Sequence, residues 1–235
     1  GNRRHHFWNV LMAQDEPQLI DSGPMLTELG LVHKVLEPSG PGPYRTVVML
    51  HGRFGDEDAM WIFKKRTPAT WLKIAPRALL ADPGGGYSWV FQEYGVWPEL
   101  AAFETAVTAV AHFLHALPRV YNADPEQIIL IGFSQGAAVS YATAMKHPGI
   151  ARAIAGLVGF VPEACASPQN VAALQELPIF MAVGLNDPLI PYERSLGCAD
   201  FLRQAGTQLD YNEYDTGHKL NAQGMRDLQV WMNNR

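Results

Sequence analysis

Cysteine, basic charge and long apolar runs are all scarce in this 235-residue chain. Its only two cysteines, Cys165 and Cys198, allow at most one disulfide bond, so a disulfide-rich secreted framework is excluded and a reducing cytoplasm is the expected compartment. The 18 Lys and Arg residues are outnumbered by 23 Asp and Glu residues, which gives a formal net charge of −5. We therefore expect no nucleic-acid partner, because such proteins usually present a basic surface.

The longest uncharged run, from Gln127 to Met145, contains several polar side chains and is interrupted by Gly132 and Gly136. These features indicate a buried strand followed by a helix, so we expect no stable membrane anchor. The first eleven residues, with two arginines and two histidines ahead of Met12, are expected to be an expression tag or disordered. Residues 12–235 are expected to form a single domain.

Short apolar segments alternate with segments of helical spacing from residue 31 onward, and 48% of the chain is hydrophobic. This alternation predicts an α/β fold with a mostly parallel central sheet and helices on both faces. The predicted strands are Leu31–Glu37, Thr46–His51, Trp71–Ala75, Ile128–Phe133, Ala153–Gly159, Pro178–Val183 and Leu209–Tyr214. The predicted helices are Pro98–Leu117, Gln135–His147, Tyr192–Ala205, Ala222–Asn233 and a weaker one at Glu57–Thr67, with Pro118 and Pro148 expected to end the helices before them.

A G-x-S-x-G motif, Gly132 to Gly136, stands between a predicted apolar strand and a predicted helix. In that position the motif forms a sharp turn that exposes a nucleophile, and the glycines leave room for the neighbouring backbone. Ser134 is therefore predicted to be a catalytic nucleophile with a strained backbone. An ordinary glycine-rich turn is the alternative.

A serine hydroxyl needs a base and an acid that orients the base. In the α/β-hydrolase fold both follow the nucleophile along the chain, which leaves His147 and His218 as bases. His147 falls at a predicted helix end, whereas His218 follows the last predicted strand, so His218 is the predicted general base. Asp187, in a loop after the strand before it, is the predicted acid, and Asp215 is its rival.

Two backbone N–H groups are expected to stabilise the oxyanion of the reaction. One is that of Gln135, directly after the nucleophile, and the other belongs to the loop after the Thr46–His51 strand. Arg53 is the predicted second donor, with Phe54 as the fallback. His51 is expected to brace this loop.

Phe54, Trp89 and Leu189 are the expected contacts to the acyl group, because an aromatic cluster and apolar residues flank the predicted site. Core packing and loop packing are the alternatives. The Gly84 to Gly86 run is interpreted as a turn, since no Lys-Ser/Thr follows as in a phosphate-binding loop.

Several motifs, in this order, resemble the phospholipase/carboxylesterase family of α/β-hydrolases, which includes acyl-protein thioesterases. They are Leu50-His51-Gly52 with Gly55-Asp56, Ala75-Pro76-Arg77, Gly85-Gly86-Tyr87-Ser88-Trp89, the Ser134 turn, Asp187 with Pro191, and Gly217-His218. The chain departs from the family where Arg53 and Phe54 follow His51-Gly52, seemingly one residue longer than usual.

The resemblance implies hydrolysis of carboxylic esters or thioesters of small or medium acyl groups, through an acyl-enzyme and without a metal or other cofactor. A dienelactone-hydrolase-like or peptidase activity and a catalytically silent ligand-binding protein are the alternatives. Only residues 160–177 are available for a lid, so no large lid domain is expected. A homodimer is compatible with exposed aromatic residues near the site.

Overall fold

One eight-stranded sheet forms the centre of this computed structural model, which describes residues 15–235. The prediction for residues 1–11 lies outside the described residues. The strands are β1 (Gln18–Ile20), β2 (His33–Leu36), β3 (Tyr44–Leu50), β4 (Leu72–Pro76), β5 (Leu80–Ala81), β6 (Tyr87–Ser88), β7 (Ala123–Phe133), β8 (Ala153–Leu157), β9 (Pro178–Gly184) and β10 (Gln208–Tyr214). The sheet order is β1-β2-β4-β3-β7-β8-β9-β10. Strands β5 and β6 pair antiparallel and form a separate two-stranded sheet, the β5–β6 ladder.

The sheet is mostly parallel, as predicted. Among the eight strands of this sheet in residues 15–235, β2 alone runs against its neighbours, pairing antiparallel with β1 and β4. The pairs from β4 to β10 are parallel. Every residue of β8, and every residue of β9 except the first, is buried. Strands covered on both faces need apolar side chains throughout, which explains why their sequences do not alternate with polar residues.

Helices cover both faces of the sheet. The α-helices of the described residues are α1 (Gly23–Leu29), α2 (Glu104–Tyr121), α3 (Gln135–Lys146), α4 (Pro168–Leu174), α5 (Tyr192–Gln204) and α6 (Ala222–Asn233), with 3₁₀ helices at Ala59–Arg66 and Leu100–Phe103. One core cluster joins the sheet to α1 through α5, and a second joins it to α6 and the first 3₁₀ helix. No large lid interrupts the part of the chain that the structure describes, because residues 158–177 hold only loop and the seven-residue α4.

Two features of the fold differ from the sequence-based expectations. First, β1, α1, the β5–β6 ladder and α4 were not predicted. Second, Pro118 does not end α2 but lies inside it, and the helix continues to Tyr121. Tyr121 is buried, and its hydroxyl lies 2.7 Å from His33 Nε2, so tertiary packing holds the last turn despite the missing N–H of the proline.

The helical stretch Leu100–Tyr121 is the single segment within residues 15–235 that is long and apolar enough to cross a membrane by length and composition. In the fold, 56% of its apolar window is buried. This is the pattern of a core helix, and the segment is weak evidence for a membrane span.

Candidate active site

Ser134 occupies the sharp turn between β7 and α3, at the carboxyl edge of the sheet. Its backbone has φ +54° and ψ −116°, a positive φ that is rare for a residue with a side chain. The turn is held by its neighbours, because Ser134 N–H donates to Leu157 O at 2.9 Å and Ala137 N–H donates to Ser134 O at 3.0 Å. Strained backbone of this kind persists where the surrounding structure fixes it, and it is common at functional sites.

The two glycines of the motif are required by close backbone contacts. A Cβ on Gly136 would lie 2.0 Å from Leu50 O, and one on Gly132 would lie 2.3 Å from Gly136 O. Both contacts are with backbone atoms, which cannot rotate away as a side chain can. The sequence motif is therefore a steric necessity of this strand-turn-helix junction.

His218 and Asp187 are joined by a hydrogen bond of 2.7 Å between Nδ1 and Oδ2. The other carboxylate oxygen, Oδ1, accepts backbone N–H groups from Leu189 at 2.8 Å and Ile190 at 3.0 Å. Burial by itself would raise the pKa of Asp187, but the hydrogen bond from His218 and these two backbone donors bring the pKa below its ordinary value. Asp187 is thus held as a carboxylate, which favours the His218 tautomer that donates from Nδ1 and leaves Nε2 facing away from Asp187.

Asp215 and His147, the alternatives to Asp187 and His218, have no comparable position. Asp215 is exposed, and its carboxylate accepts a hydrogen bond from Asn186 Nδ2 at 2.6 Å rather than from a histidine. His147 caps the end of α3, with its ring centroid 6.1 Å from that of His115, and it lines a different depression from Ser134.

A cavity of about 420 Å³ brings Ser134 and His218 together on its wall. Among residues 15–235, no hydrogen bond joins the Ser134 hydroxyl to His218, and such contacts are often loose until a substrate is bound. Phe133 packs against the imidazole with its ring centroid 5.3 Å away. The cavity, called here the Ser134 cavity, has apolar walls formed by Phe54, Tyr94, Trp97, Phe160, Leu189 and Ile190.

The loop after β3 lies directly beside Ser134. A Cβ on Gly52 would be 3.2 Å from Ser134 Cβ, so the following backbone passes close to the reacting position. Phe54 N–H donates to Ser88 Oγ at 3.3 Å, whereas the N–H groups of Arg53 and Gln135 have no acceptor in the part of the chain that the structure describes. The two predicted first-choice donors are therefore both without an acceptor among the described residues.

His51 braces this loop from below. Its Nε2 accepts a hydrogen bond from Ala78 N–H at 2.9 Å, so the proton lies on Nδ1, which donates to Gly52 O at 2.7 Å. Burial lowers the pKa of His51, which keeps the ring neutral and able to accept at Nε2. The loop is also tied by a two-bond ion pair between Arg77 and Glu57, at 2.7 and 2.6 Å.

Trp89 corrects one sequence-based expectation. It was expected to contact the acyl group, but it is 1% exposed and does not line the Ser134 cavity. Its indole N–H donates to His51 O at 2.8 Å, so the ring packs beneath the loop. Phe54 and Leu189 do line the cavity, with 45% and 48% of their surfaces exposed.

The Gln135 side chain has a role that the sequence did not reveal. Its Oε1 accepts N–H from Trp89 at 2.8 Å, and its Nε2 donates to Val90 O at 3.0 Å. Gln135 therefore fixes the start of the loop that supplies Tyr94 and Trp97 to the cavity wall. Sequence separation of about 45 residues hides such a contact.

The sequence profile of the phospholipase/carboxylesterase family matches residues 32–234. The chain belongs to this family. The serine, aspartate and histidine positions singled out above all fall within the matched residues.

Relatives in the same family are distant. A probable carboxylesterase SOBER1-like from Arabidopsis thaliana is 26% identical over 114 residues, which cover 48% of this chain and 44% of that protein. Acyl-protein thioesterase 1 from Schizosaccharomyces pombe is 26% identical over 174 residues, covering 67% and 75% respectively. The chain spans about half the length of the first carboxylesterase relatives it matches.

The fold is shared with solved structures. A carboxylesterase from Mesorhizobium loti superimposes with a TM-score of 0.80 at 18% identity, covering 94% of this chain and all of that one. At this identity the likeness establishes the α/β-hydrolase fold.

Proposed function

We propose that the protein is a serine hydrolase that cleaves carboxylic esters or thioesters through an acyl-enzyme. The observation that carries the proposal is that the strained Ser134 and the Asp187-bound His218 line one cavity. Beside them lie the backbone N–H groups of Arg53 and Gln135, which have no acceptor among the described residues. Nucleophile, oriented base and oxyanion donors are the parts that acyl transfer requires.

In the first step, Ser134 Oγ attacks the carbonyl carbon while His218 Nε2 takes the hydroxyl proton. The N–H groups of Arg53 and Gln135 stabilise the resulting oxyanion. His218 then gives its proton to the leaving alcohol or thiol, and an acyl-serine remains. A water molecule, deprotonated by His218, releases the acid and restores Ser134.

The Ser134 cavity supports substrates with small or medium acyl groups. Its volume of about 420 Å³ lies near the lower end of the range typical of small-molecule sites, and its walls are mainly apolar. None of the proposed steps calls for a metal, and residues 15–235 contain no cluster of three or more His, Cys, Asp or Glu side chains that could hold one.

Two further expectations remain proposals. A reducing, cytoplasmic setting is supported by Cys165 and Cys198, both of which are buried free thiols. Association of two copies is supported by Phe91 and Tyr94, which are 62% and 78% exposed near the cavity.

The experiment that tests the function is hydrolysis of p-nitrophenyl esters from acetyl to palmitoyl by the wild type and Ser134→Ala. We expect activity that peaks at a short or medium chain length and falls by at least about three orders of magnitude in the variant. A fluorophosphonate probe should label the wild type and not the variant. A folded wild type that neither hydrolyses any ester nor reacts with the probe would favour a silent ligand-binding protein.

A further inference from the structure

The guanidinium of Arg53 has no acceptor within residues 15–235. Its Nε is buried without a hydrogen-bond partner, and neither terminal nitrogen forms a hydrogen bond or salt bridge with the described residues. An arginine side chain carries five N–H donors and a permanent charge. Leaving a buried donor unpaired is costly, so the group needs an explanation, and a bound water, ion or ligand is one of them.

The guanidinium is held in place by stacking. Its Cζ lies 4.4 Å from the centroid of the Phe54 ring. The ring in turn lies against the Gly84 turn, where a Cβ would come within 2.6 Å of Phe54 Cε1. A guanidinium whose carbon lies over an aromatic ring can keep its edge N–H groups free to bind a planar or tetrahedral oxyanion.

The charge of Arg53 is not neutralised by an ion pair in the described residues. The carboxylate of Asp187 is occupied by His218 and two backbone donors. Asp82 lies close enough for the charge of Arg53 to contribute to lowering its pKa, but its oxygens bind Gly84 N–H and Ser88 Oγ. Glu93, the acidic residue among those that line the cavity, is exposed.

Arg53 thus combines two groups at one position. Its backbone N–H is available beside Ser134, and Arg53 is one of the residues that line the same cavity. Its guanidinium carries a positive charge that no described residue pairs. A neutral acyl chain would leave that charge unpaired. A substrate with its own negative charge would satisfy it.

We propose that the guanidinium of Arg53 binds a carboxylate or phosphate group of the substrate, so that the preferred substrates are anionic esters or thioesters. This inference rests on the proposed function. Arg53 is then a specificity-determining residue, and Phe54 and Gly84 position it.

The test compares charged and neutral esters of matched size in the wild type and Arg53→Met. An anion on the acyl side is provided by p-nitrophenyl hemiglutarate, with p-nitrophenyl valerate as its neutral partner. An anion on the leaving group is provided by para-butyryloxybenzoate and by para-butyryloxyphenyl phosphate, with phenyl butyrate as their neutral partner. Within each variant, the ratio of kcat/KM for the charged and neutral partners cancels any general loss of activity.

We expect the ratio for at least one charged substrate to fall about ten- to a hundredfold in Arg53→Met, since hydrogen bonds to charged groups are worth about 1.5–3 kcal/mol. Arg53→Lys should restore part of the charged-to-neutral ratio of kcat/KM, and added salt should lower this ratio in the wild type. The control is Arg152→Met, which removes an exposed arginine just before β8, at the opposite edge of the sheet, and should leave every ratio unchanged.

The inference would be overturned if, for every charged substrate, the ratio of kcat/KM in the wild type were no higher than in Arg53→Met. Ester hydrolysis and labelling of Ser134 would in that case still support the proposed function. Absence of both hydrolysis and labelling would overturn the proposed function and the inference with it. The charged substrate whose ratio falls in Arg53→Met identifies which side of the ester carries the anion, and whether the anion is a carboxylate or a phosphate.

Discussion

The carboxylate of Asp187 binds three groups at once: the His218 imidazole at 2.7 Å and the backbone N–H groups of Leu189 and Ile190. The two backbone bonds immobilise the carboxylate so that it can hold the ring of His218 in one tautomer. An acid that is fixed by its own loop in this way is well suited to orient a catalytic base.

The first prediction concerns this acid. Asp187→Asn keeps the size of the side chain but favours the other tautomer of His218, so kcat should fall by about 10⁴-fold. The measurement is p-nitrophenyl ester hydrolysis by purified variants. Asp215→Asn is the matched control, because Asp215 contacts Asn186 instead of His218, and it should change kcat less than about twofold. A reversal of these two results would make Asp215 the acid.

The second prediction concerns the glycines of the G-x-S-x-G turn between β7 and α3. Gly136→Ala places a Cβ 2.0 Å from Leu50 O, and the resulting shift of β3 against α3 should cost about 3 kcal/mol or more in the free energy of unfolding. Urea denaturation followed by circular dichroism measures the effect.

The matched control for that substitution is Gly197→Ala. Gly197 lies inside α5, and no atom of residues 15–235 outside the helix's own backbone would lie within 4 Å of its Cβ. Because alanine is a better helix former than glycine, this variant should be more stable than the wild type by about 0.5–1 kcal/mol. Equal effects at the two positions would contradict the steric role of Gly136.

The third prediction concerns the Arg77–Glu57 ion pair, which ties the loop after β3. Glu57→Gln leaves Arg77 without its two-bond partner, and Glu57 is largely buried, so the free energy of unfolding should fall by about 1.5–3 kcal/mol. The exposed pair of Arg203 and Asp200 is the control, and Asp200→Asn should change stability by less than about 0.5 kcal/mol. A loss for Glu57→Gln no larger than for the control would show that the pair does not hold the loop.

The fourth prediction concerns pH. Burial lowers the pKa values of His33 and His51, so in the folded state these rings bind a proton less readily than the unfolded value of about 6.5 allows. As pH falls below that value, the unfolded state takes up more protons and stability decreases, by at most about 1.4 kcal/mol per pH unit for each histidine. Stability should therefore drop between pH 7 and pH 5.

Urea unfolding at pH 5, 6 and 7 measures this slope. His51→Asn should make the slope shallower whatever its effect on stability at pH 7, and a second substitution, His33→Asn, should reduce it further. An unchanged slope in the double variant would mean that other groups are responsible for the acid sensitivity.

Much of the sheet could be predicted because its parallel strands are buried on both faces. Strands such as β8 and β9 have continuous apolar sequences, and their predicted bounds agree with the structure to within two residues. The N-terminal elements were missed because their stability comes from neighbours. Strand β1 has three residues, and Ser22 before α1 makes no side-chain capping bond.

The candidate site could be predicted as far as its motifs extend. Ser134, Asp187 and His218 follow strands or strand ends that are visible in the sequence, and their catalytic roles stay predictions. The position of Trp89 could not be predicted, because an aromatic residue near a site has the same sequence signature whether it faces the cavity or the core. The positive φ of Phe54, +66°, was equally invisible, since no glycine or asparagine marks it.

The two hydrogen bonds from the Gln135 side chain to Trp89 and Val90 have a consequence for engineering. Gln135 contributes its backbone to the proposed oxyanion site and its amide to the anchor of the aromatic wall. A library of variants that reshapes this wall to admit bulkier esters will therefore shift turnover along with affinity. Variants selected for a new acyl-chain length should have kcat and KM measured separately, because one substitution in this wall is expected to change both constants.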